Sequence, residues 1–187
     1  VLGSRGLGDV YKRQDFYDTQ NRFSTLLPEH GYILDFGCGS GRDTKYFLEQ
    51  GFYVDATDGS KEMCHIASNY TGIQVRRLLF EELDENKKYD GIWACSSILH
   101  LPKNELKAVF MKMFKALKED GIIYTSFKYG DFEGERNGRY FTDFTEKTFE
   151  EFVDEIDNLQ LKEEWITGDV RPGRGEEKWL NVILQKN

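Results

Sequence analysis

No run of about 18 consecutive apolar residues occurs in this chain, which excludes a membrane-spanning helix. No apolar segment follows a basic start, so no secretory signal is expected. Cysteine is scarce. Cys38, Cys64 and Cys95 are odd in number and lack metal-ligand spacing, so they read as reduced cytoplasmic thiols and no metal is expected. Positive charge is in deficit: 25 Lys and Arg stand against 33 Asp and Glu, a formal net charge of −8. Non-specific duplex binding needs a large basic footprint, which this balance argues against, although a local basic patch is still allowed. Internal repeats and low-complexity segments are missing as well, which removes solenoid and linker architectures.

What is present suits one packed domain. The chain has 187 residues, 39% of them apolar and 14% aromatic, enough for a single core of ordinary size. The first 14 residues stand apart, with Gly3, Ser4, Gly6 and Gly8 and no clear period. They read as a non-native leader, with a native disordered arm as the alternative. The folded domain is expected over residues 15–187, where the balance is 22 basic against 32 acidic residues.

Strand and helix then alternate. A helix over Phe16–Leu27 stops before Pro28. Tyr32–Phe36 is strand one, Arg42–Gln50 a helix closed by Gly51, and Tyr53–Thr57 strand two. Ser60 caps a helix whose inner face is Met63, Ile66, Ala67 and Tyr70. Ile73–Leu79 and Gly91–Cys95 are strands three and four. A helix over Lys103–Lys118 carries Leu106, Val109, Phe110, Met113, Phe114 and Leu117 on one stripe and ends at Gly121. Ile122–Lys128 is strand five, and a long loop over Asp131–Phe144 follows. A helix with Phe149, Phe152, Val153 and Ile156 precedes an antiparallel pair, Leu159–Thr167 and Lys178–Gln185. This order predicts a doubly wound α/β sheet.

The most informative segment is Ile33-Leu-Asp-Phe-Gly-Cys-Gly-Ser-Gly-Arg-Asp43. A buried strand runs into a glycine turn and then a helix start, which is a nucleotide-type site. The dinucleotide spacing G-x-G-x-x-G fails, because Arg42 stands where its third glycine belongs. Asp58 closes strand two, 23 positions after Asp35, where a carboxylate can accept hydrogen bonds from both ribose hydroxyls. The alternative is an acid that caps the helix beginning after Ser60. Asp35 reads as a structural acid bonded to the glycine turn. Asp55 reads as solvated or paired, and Cys95 as a core thiol.

The turn Asp35-x-Gly37-x-Gly39-x-Gly41 resembles the first motif of class I S-adenosylmethionine-dependent methyltransferases, and the resemblance covers about residues 15–187. It implies a mostly parallel seven-stranded sheet whose last strand is antiparallel and lies beside the fifth. It implies S-adenosylmethionine as cofactor, held by Asp35, Gly37, Cys38, Gly39, Gly41, Asp58 and Gly59. It gives Asp58 the ribose and Asp35 the amino group. It also implies that the first helix, with Tyr17 and Phe23, lids the cofactor. The family's usual acid after strand three falls on Leu79, a departure that leaves adenine to Phe80, Glu81 and apolar contact.

On the acceptor side, His100 follows strand four in the family's methyl-flanking segment and is a candidate base or substrate contact. Strand ends in such sheets face the ligand, so Lys128, Tyr129, Arg136, Arg139, Arg171 and Arg174 are candidates for contacting the acceptor. The alternative is a set of solvated charges balancing Glu133, Glu135, Glu176 and Glu177. Three functions stay open at this point. The first is methyl transfer to a small, anionic acceptor, as in the tellurite-resistance-like group the loops resemble. The second is RNA methylation, because Arg139-Tyr140-Phe141 is similar to the tRNA wobble-uridine group. The third is cofactor binding without catalysis. The sequence sets no oligomeric state.

Overall fold

The computed structural model describes residues 17–169, 171–174 and 176–187; the expected leader and Phe16 lie outside them. The elements run α1 (Asp18–Ser24), β1 (Tyr32–Phe36), α2 (Arg42–Glu49), β2 (Tyr53–Asp58), α3 (Lys61–Thr71), β3 (Arg76–Arg77) and β4 (Tyr89–Ala94). They continue α4 (Lys103–Ala116), β5 (Leu117–Lys128), β6 (Glu133–Arg136), β7 (Arg139–Thr142), α5 (Glu146–Asp154), β8 (Leu159–Gly168) and β9 (Lys178–Lys186). Seven strands form one sheet in the order β3-β2-β1-β4-β5-β9-β8. The first five pair in parallel, and β9 runs antiparallel between β5 and β8. This is the α/β sheet expected from the alternation, with the antiparallel strand beside the fifth.

Two apolar layers sandwich the sheet. On one face α4 and α5 bury Leu106, Val109, Phe110, Met113, Phe149 and Phe152 against Leu34, Ile92, Ile123 and Val182. On the other, Phe23 and Phe47 pack against Trp93, Tyr124 and Ile183. The order of strands reverses between β1 and β4. Parallel sheets bind ligands in the crevice at such a reversal, outside the carboxyl ends of the strands.

Five expectations need correction. The first helix is shorter, ending at Ser24 well before Pro28. Strand three shrinks to two residues, because only Thr57 and Asp58 of β2 offer it partners at the sheet edge. The buried face of α3 is Cys64 and Ala67, while Ile66 and Tyr70 are exposed. Small residues are required there because α3 packs against the glycine turn: a Cβ on Gly41 would lie 2.8 Å from Thr71 Cγ2 and 3.2 Å from Ala67 Cβ. Helix α4 stops at Ala116, since Leu117 pairs with Tyr89 and already belongs to β5; Gly121 lies inside that strand. Finally, the loop over 131–144 is largely the hairpin β6–β7. Its turn is Asn137-Gly138, with φ of 53° and 79°, the left-handed pair that two-residue hairpins demand.

Helix α1 is fixed by a missing side chain on the sheet. A Cβ on Gly91 in β4 would lie 2.7 Å from Phe23 Cζ and 2.9 Å from Leu27 Cδ2. Gly91→Ala is expected to overpack this contact at a cost of about 1–3 kcal/mol. The melting temperature should drop by roughly 2–4 °C per kcal/mol for a domain of this size. Thermal denaturation of the variant checks this; an unchanged midpoint would mean that α1 does not seat on β4.

Candidate active site in the sheet crevice

The glycine turn is tied to the end of β2. Gly37 and Cys38 both donate their backbone N–H to the Thr57 carbonyl, at 3.0 and 2.9 Å. The Gly39 N–H donates to Asp58 Oδ2 at 2.9 Å, and the Ser60 N–H donates to Asp58 Oδ1 at 2.9 Å. Asp58 thus supports the turn and the start of α3 together, while Ser60 Oγ accepts from the Met63 N–H as the cap. Each Asp58 oxygen retains a lone pair, and the side chain is half-buried at the crevice edge.

Gly37, Gly39 and Gly41 all have positive φ, between 57° and 91°. Gly37 is confined: an added Cβ would meet Ser97 Cβ at 2.6 Å and Phe80 Cε1 at 3.3 Å. Gly39 is the opposite, since its Cβ would meet nothing within 4 Å. That open backbone face lets a ligand approach the turn closely.

Beneath the turn lie two buried acids. Asp35 sits at the end of β1 and accepts from the Thr44 hydroxyl at 2.6 Å. Burial, reinforced by the nearby Asp43 charge, raises its pKa from 3.8 to about 8. Asp43, which sequence reasoning did not single out, accepts from Gln20 Nε2 at 3.0 Å and from Trp93 Nε1 at 3.0 Å. It also pairs with Arg42 at 3.1 Å. Helix α1, helix α2 and strand β4 therefore meet on one carboxylate. Tyr17, just before α1, stacks on Tyr46 of α2 with ring centroids 4.1 Å apart.

After β3, Phe80 turns its ring inward onto Phe36, centroids 4.9 Å apart. Leu79 stays exposed beside Gly59, its Cδ2 3.4 Å from where a Cβ on that glycine would lie. The Glu81 side chain is exposed, and its carbonyl accepts from Lys112 Nζ. Asp55 is paired, as expected: Arg76 donates to both its oxygens and the Tyr89 hydroxyl donates to one. Burial pushes the Cys95 thiol up to about 12 and raises Cys38 still further, so neither is a thiolate near neutrality.

The far side of the crevice is built by the turn after β4, the end of β5 and the hairpin. Ser97 Oγ donates to the Phe36 carbonyl at 2.9 Å. Ser96, also unforeseen, is exposed and left-handed at φ 51°, with its N–H donating to Ser126 Oγ at 2.9 Å. Such a conformation is uncommon for a residue with a side chain and is concentrated at functional turns. His100 ends this turn. Its Nδ1 lies 2.8 Å from the Tyr140 carbonyl, so Nδ1 carries the proton and Nε2 is the free acceptor of the neutral ring. Burial, then repulsion from Arg139 and Lys128, lowers its pKa.

The candidate acceptor residues divide by their partners. Arg136 is bound to buried Asp143 at 2.7 Å, and Arg171 is bound to Asp169, with Glu177 at 3.7 Å. Tyr129 is exposed at the edge and Arg174 is exposed in the β8–β9 loop. Lys128 is half-buried against Phe141.

Residues 33–121 match the family described as a methyltransferase domain. Over that segment, which holds the glycine turn, Asp58 and β4, the chain is similar to methyltransferases. A Bacillus subtilis protein named as a methyltransferase, YqeM, is 33% identical over 116 residues, which are 56% of this chain and 47% of that protein. The malonyl-[acyl-carrier protein] O-methyltransferase of Acetivibrio thermocellus is 29% identical over 96 residues, 49% of this chain and 33% of its own length. The chain thus spans less than half of either relative. Among solved structures, the 1,6-didemethyltoxoflavin-N1-methyltransferase of Burkholderia thailandensis has a TM-score of 0.71 at 23% identity. It covers 96% of this chain and 86% of that one, and holds S-adenosylhomocysteine and 1,6-didemethyltoxoflavin. The [4+2]-cyclase SpnF, at TM-score 0.73 and 14% identity over 92% of this chain and 81% of its own, has the same fold with a different reaction. Likeness at these identities is a likeness of fold.

The buried Asp35 makes the site pH-sensitive. Its pKa is about 8 folded against 3.8 in its ordinary state, so the folded chain holds the extra proton between these values. The contribution of Asp35 to stability therefore falls as pH rises from about 4 to 8. Asp35→Asn is expected to flatten that decline in denaturation midpoints measured without ligand at pH 5 and pH 8.5. An equal decline in both proteins would show that Asp35 does not carry it.

Proposed function

We propose that this domain transfers the methyl group of S-adenosylmethionine to a small-molecule acceptor in the crevice between β1 and β4. The observation that carries the reading is Asp58. It joins the glycine turn to the end of β2, keeps a lone pair free on each oxygen, and stands beside the open face of Gly39. The residues present fit this cofactor. A deeply buried carboxyl whose pKa reaches about 8 is an acid in want of a cation, and Asp35 would accept an ammonium group. Leu79 beside Gly59 offers an apolar surface for adenine in place of the usual acid. Tyr17, Cys38, Phe80 and Glu81 complete the proposed cofactor surround.

When bound, the cofactor supplies a methyl group activated on a sulfonium centre. The chain must then align the acceptor and keep water out. Helix α1, seated on Gly91 and held by Asp43, covers one side of the crevice. The hairpin β6–β7 stands over the other, where His100 directs Nε2 away from its bond to Tyr140. Neutral His100 can take a proton from an acceptor that must lose one. The small-molecule reading is also supported by charge. Arg136 and Arg171 are neutralised by Asp143 and Asp169, which withdraws two of the loop cations that an RNA backbone would use.

Calorimetry with S-adenosylhomocysteine and with NAD tests the cofactor. The first is expected to bind and the second not, because Arg42 occupies the position of the third dinucleotide glycine. Asp58→Ala is expected to weaken S-adenosylhomocysteine by about 1.5–3 kcal/mol for each charged hydrogen bond lost, with the fold intact. Unchanged affinity would reduce Asp58 to its supporting role. Methyl-labelled S-adenosylmethionine offered with the small-molecule fraction of a cell extract should give a labelled product, and with a tRNA pool should not. Label in tRNA alone would replace this reading with RNA methylation.

A further inference from the structure

The basic residues around the crevice are not equivalent. Arg136 lies 2.7 Å from Asp143 and also stacks on Phe132, and Arg171 is held by Asp169 and Glu177. Those two guanidinium groups brace the walls. Two nearby acids are engaged too: Glu133 accepts from the Tyr140 hydroxyl at 2.7 Å and from the Lys103 N–H at 3.1 Å, and Glu146 is bonded to Tyr129. Lys128 and Arg139 are left over. Among the described residues neither has a carboxylate within 4.0 Å.

One aromatic ring, Phe141, also faces the Arg136 guanidinium at 5.0 Å from its centroid. Lys128 Nζ lies 4.8 Å from the centroid of Phe141 and 5.9 Å from that of Trp179. The His100 ring meets Phe141 edge-on, centroids 4.7 Å apart. Arg139 is two residues before Phe141 in β7. These groups come from three elements: the end of β5, the turn after β4 and the hairpin. All three stand at the carboxyl edge of the sheet, on the opposite side of the crevice from the glycine turn. Lys128 is half-buried in a chain with an excess of acids, yet none stands against it among the described residues. A cation left open at this edge, beside a histidine that it repels, is a positive field without its counter-ion.

We propose that Lys128 and Arg139, beside His100, bind an anionic group of the methyl acceptor, a carboxylate or a phosphate. That the anion belongs to the acceptor rests on the methyltransferase reading; that the site binds an anion does not. The experiment separates the two by using no turnover. The imidazole of His100 is followed by nuclear magnetic resonance in the full chain, identified by its loss in His100→Gln, with and without S-adenosylhomocysteine. Inorganic phosphate and benzoate are the probes.

Either anion, bound beside His100, should stabilise the imidazolium and raise its pKa. Lys128→Met keeps the aliphatic packing and removes the charge. It should raise the His100 pKa in the absence of anion and abolish the response to added anion. Arg139→Gln lies on an exposed hairpin residue, so it keeps the test open if Lys128→Met fails to fold, and it should weaken anion binding at least tenfold. A response to benzoate alone marks a carboxylate site, and to phosphate alone a phosphate site. No response to either, or the same response in both variants, overturns the proposal. An anion response in a chain that does not bind S-adenosylhomocysteine would keep the site and remove the methyltransferase reading.

Discussion

The carboxyl end of β1 is bound to the carboxyl end of β2, and the crevice depends on that junction. One carbonyl, that of Thr57, accepts from two successive amides of the glycine turn, and the next residue's carboxylate accepts from a third. Three backbone donors that would otherwise point into a cleft are thereby satisfied before any ligand arrives. The turn is also closed from the other flank. Ser97 donates to Phe36, and its Cβ fills the space beside Gly37 that a larger residue would claim. Strands β2, β1 and β4 thus share one rigid edge, and a ligand meets a surface already formed.

The second organising element is a charge that faces inward. Asp43 begins α2 yet points to Gln20 and Trp93, so a helix-start acid becomes the joint between α1 and the sheet. Around it runs a ladder of rings: Phe47 and Phe23 on Trp93, Trp93 stacked on Tyr124 at 4.1 Å, and Tyr124 beside Trp165. Arg22 of α1 closes the ladder over Trp165 at 3.9 Å. Aromatic pairs of this kind add to simple burial. They bring a short helix, too short to be stable alone, to a fixed place over the crevice.

How much of this was legible depends on the range of the interaction. The glycine turn, the Ser60 cap and the limits of β1 and α2 follow from neighbours within four residues, and they stand where the sequence puts them. The hairpin was read as a loop: Asn137-Gly138 signals its turn, but its flanks Glu-Gly-Glu-Arg and Arg-Tyr-Phe-Thr lack a clean apolar alternation. Periodicity misled at Leu117, which continues the stripe of Met113 by one helical turn and yet pairs as a strand. It misled again in α3, where the large apolar residues are outside and the small ones inside, because the neighbour is a glycine turn and not a side-chain layer.

Local chemistry within the sequence determined the alternation of elements, the nucleotide-type turn and the two acids at its strand ends. Tertiary structure decided which charges are free. Arg136 and Arg171 read the same as Arg139 in the sequence, but only folding brings Asp143 and Asp169 against the first two and, among the described residues, no carboxylate against the third. It likewise turned Asp43 inward to Trp93, fifty positions away, and set Asp55 against Tyr89, thirty-four away. Such pairings form only after sheet register and loop closure have fixed both partners. A periodic pattern carries information about a residue's face and none about the residue it will meet.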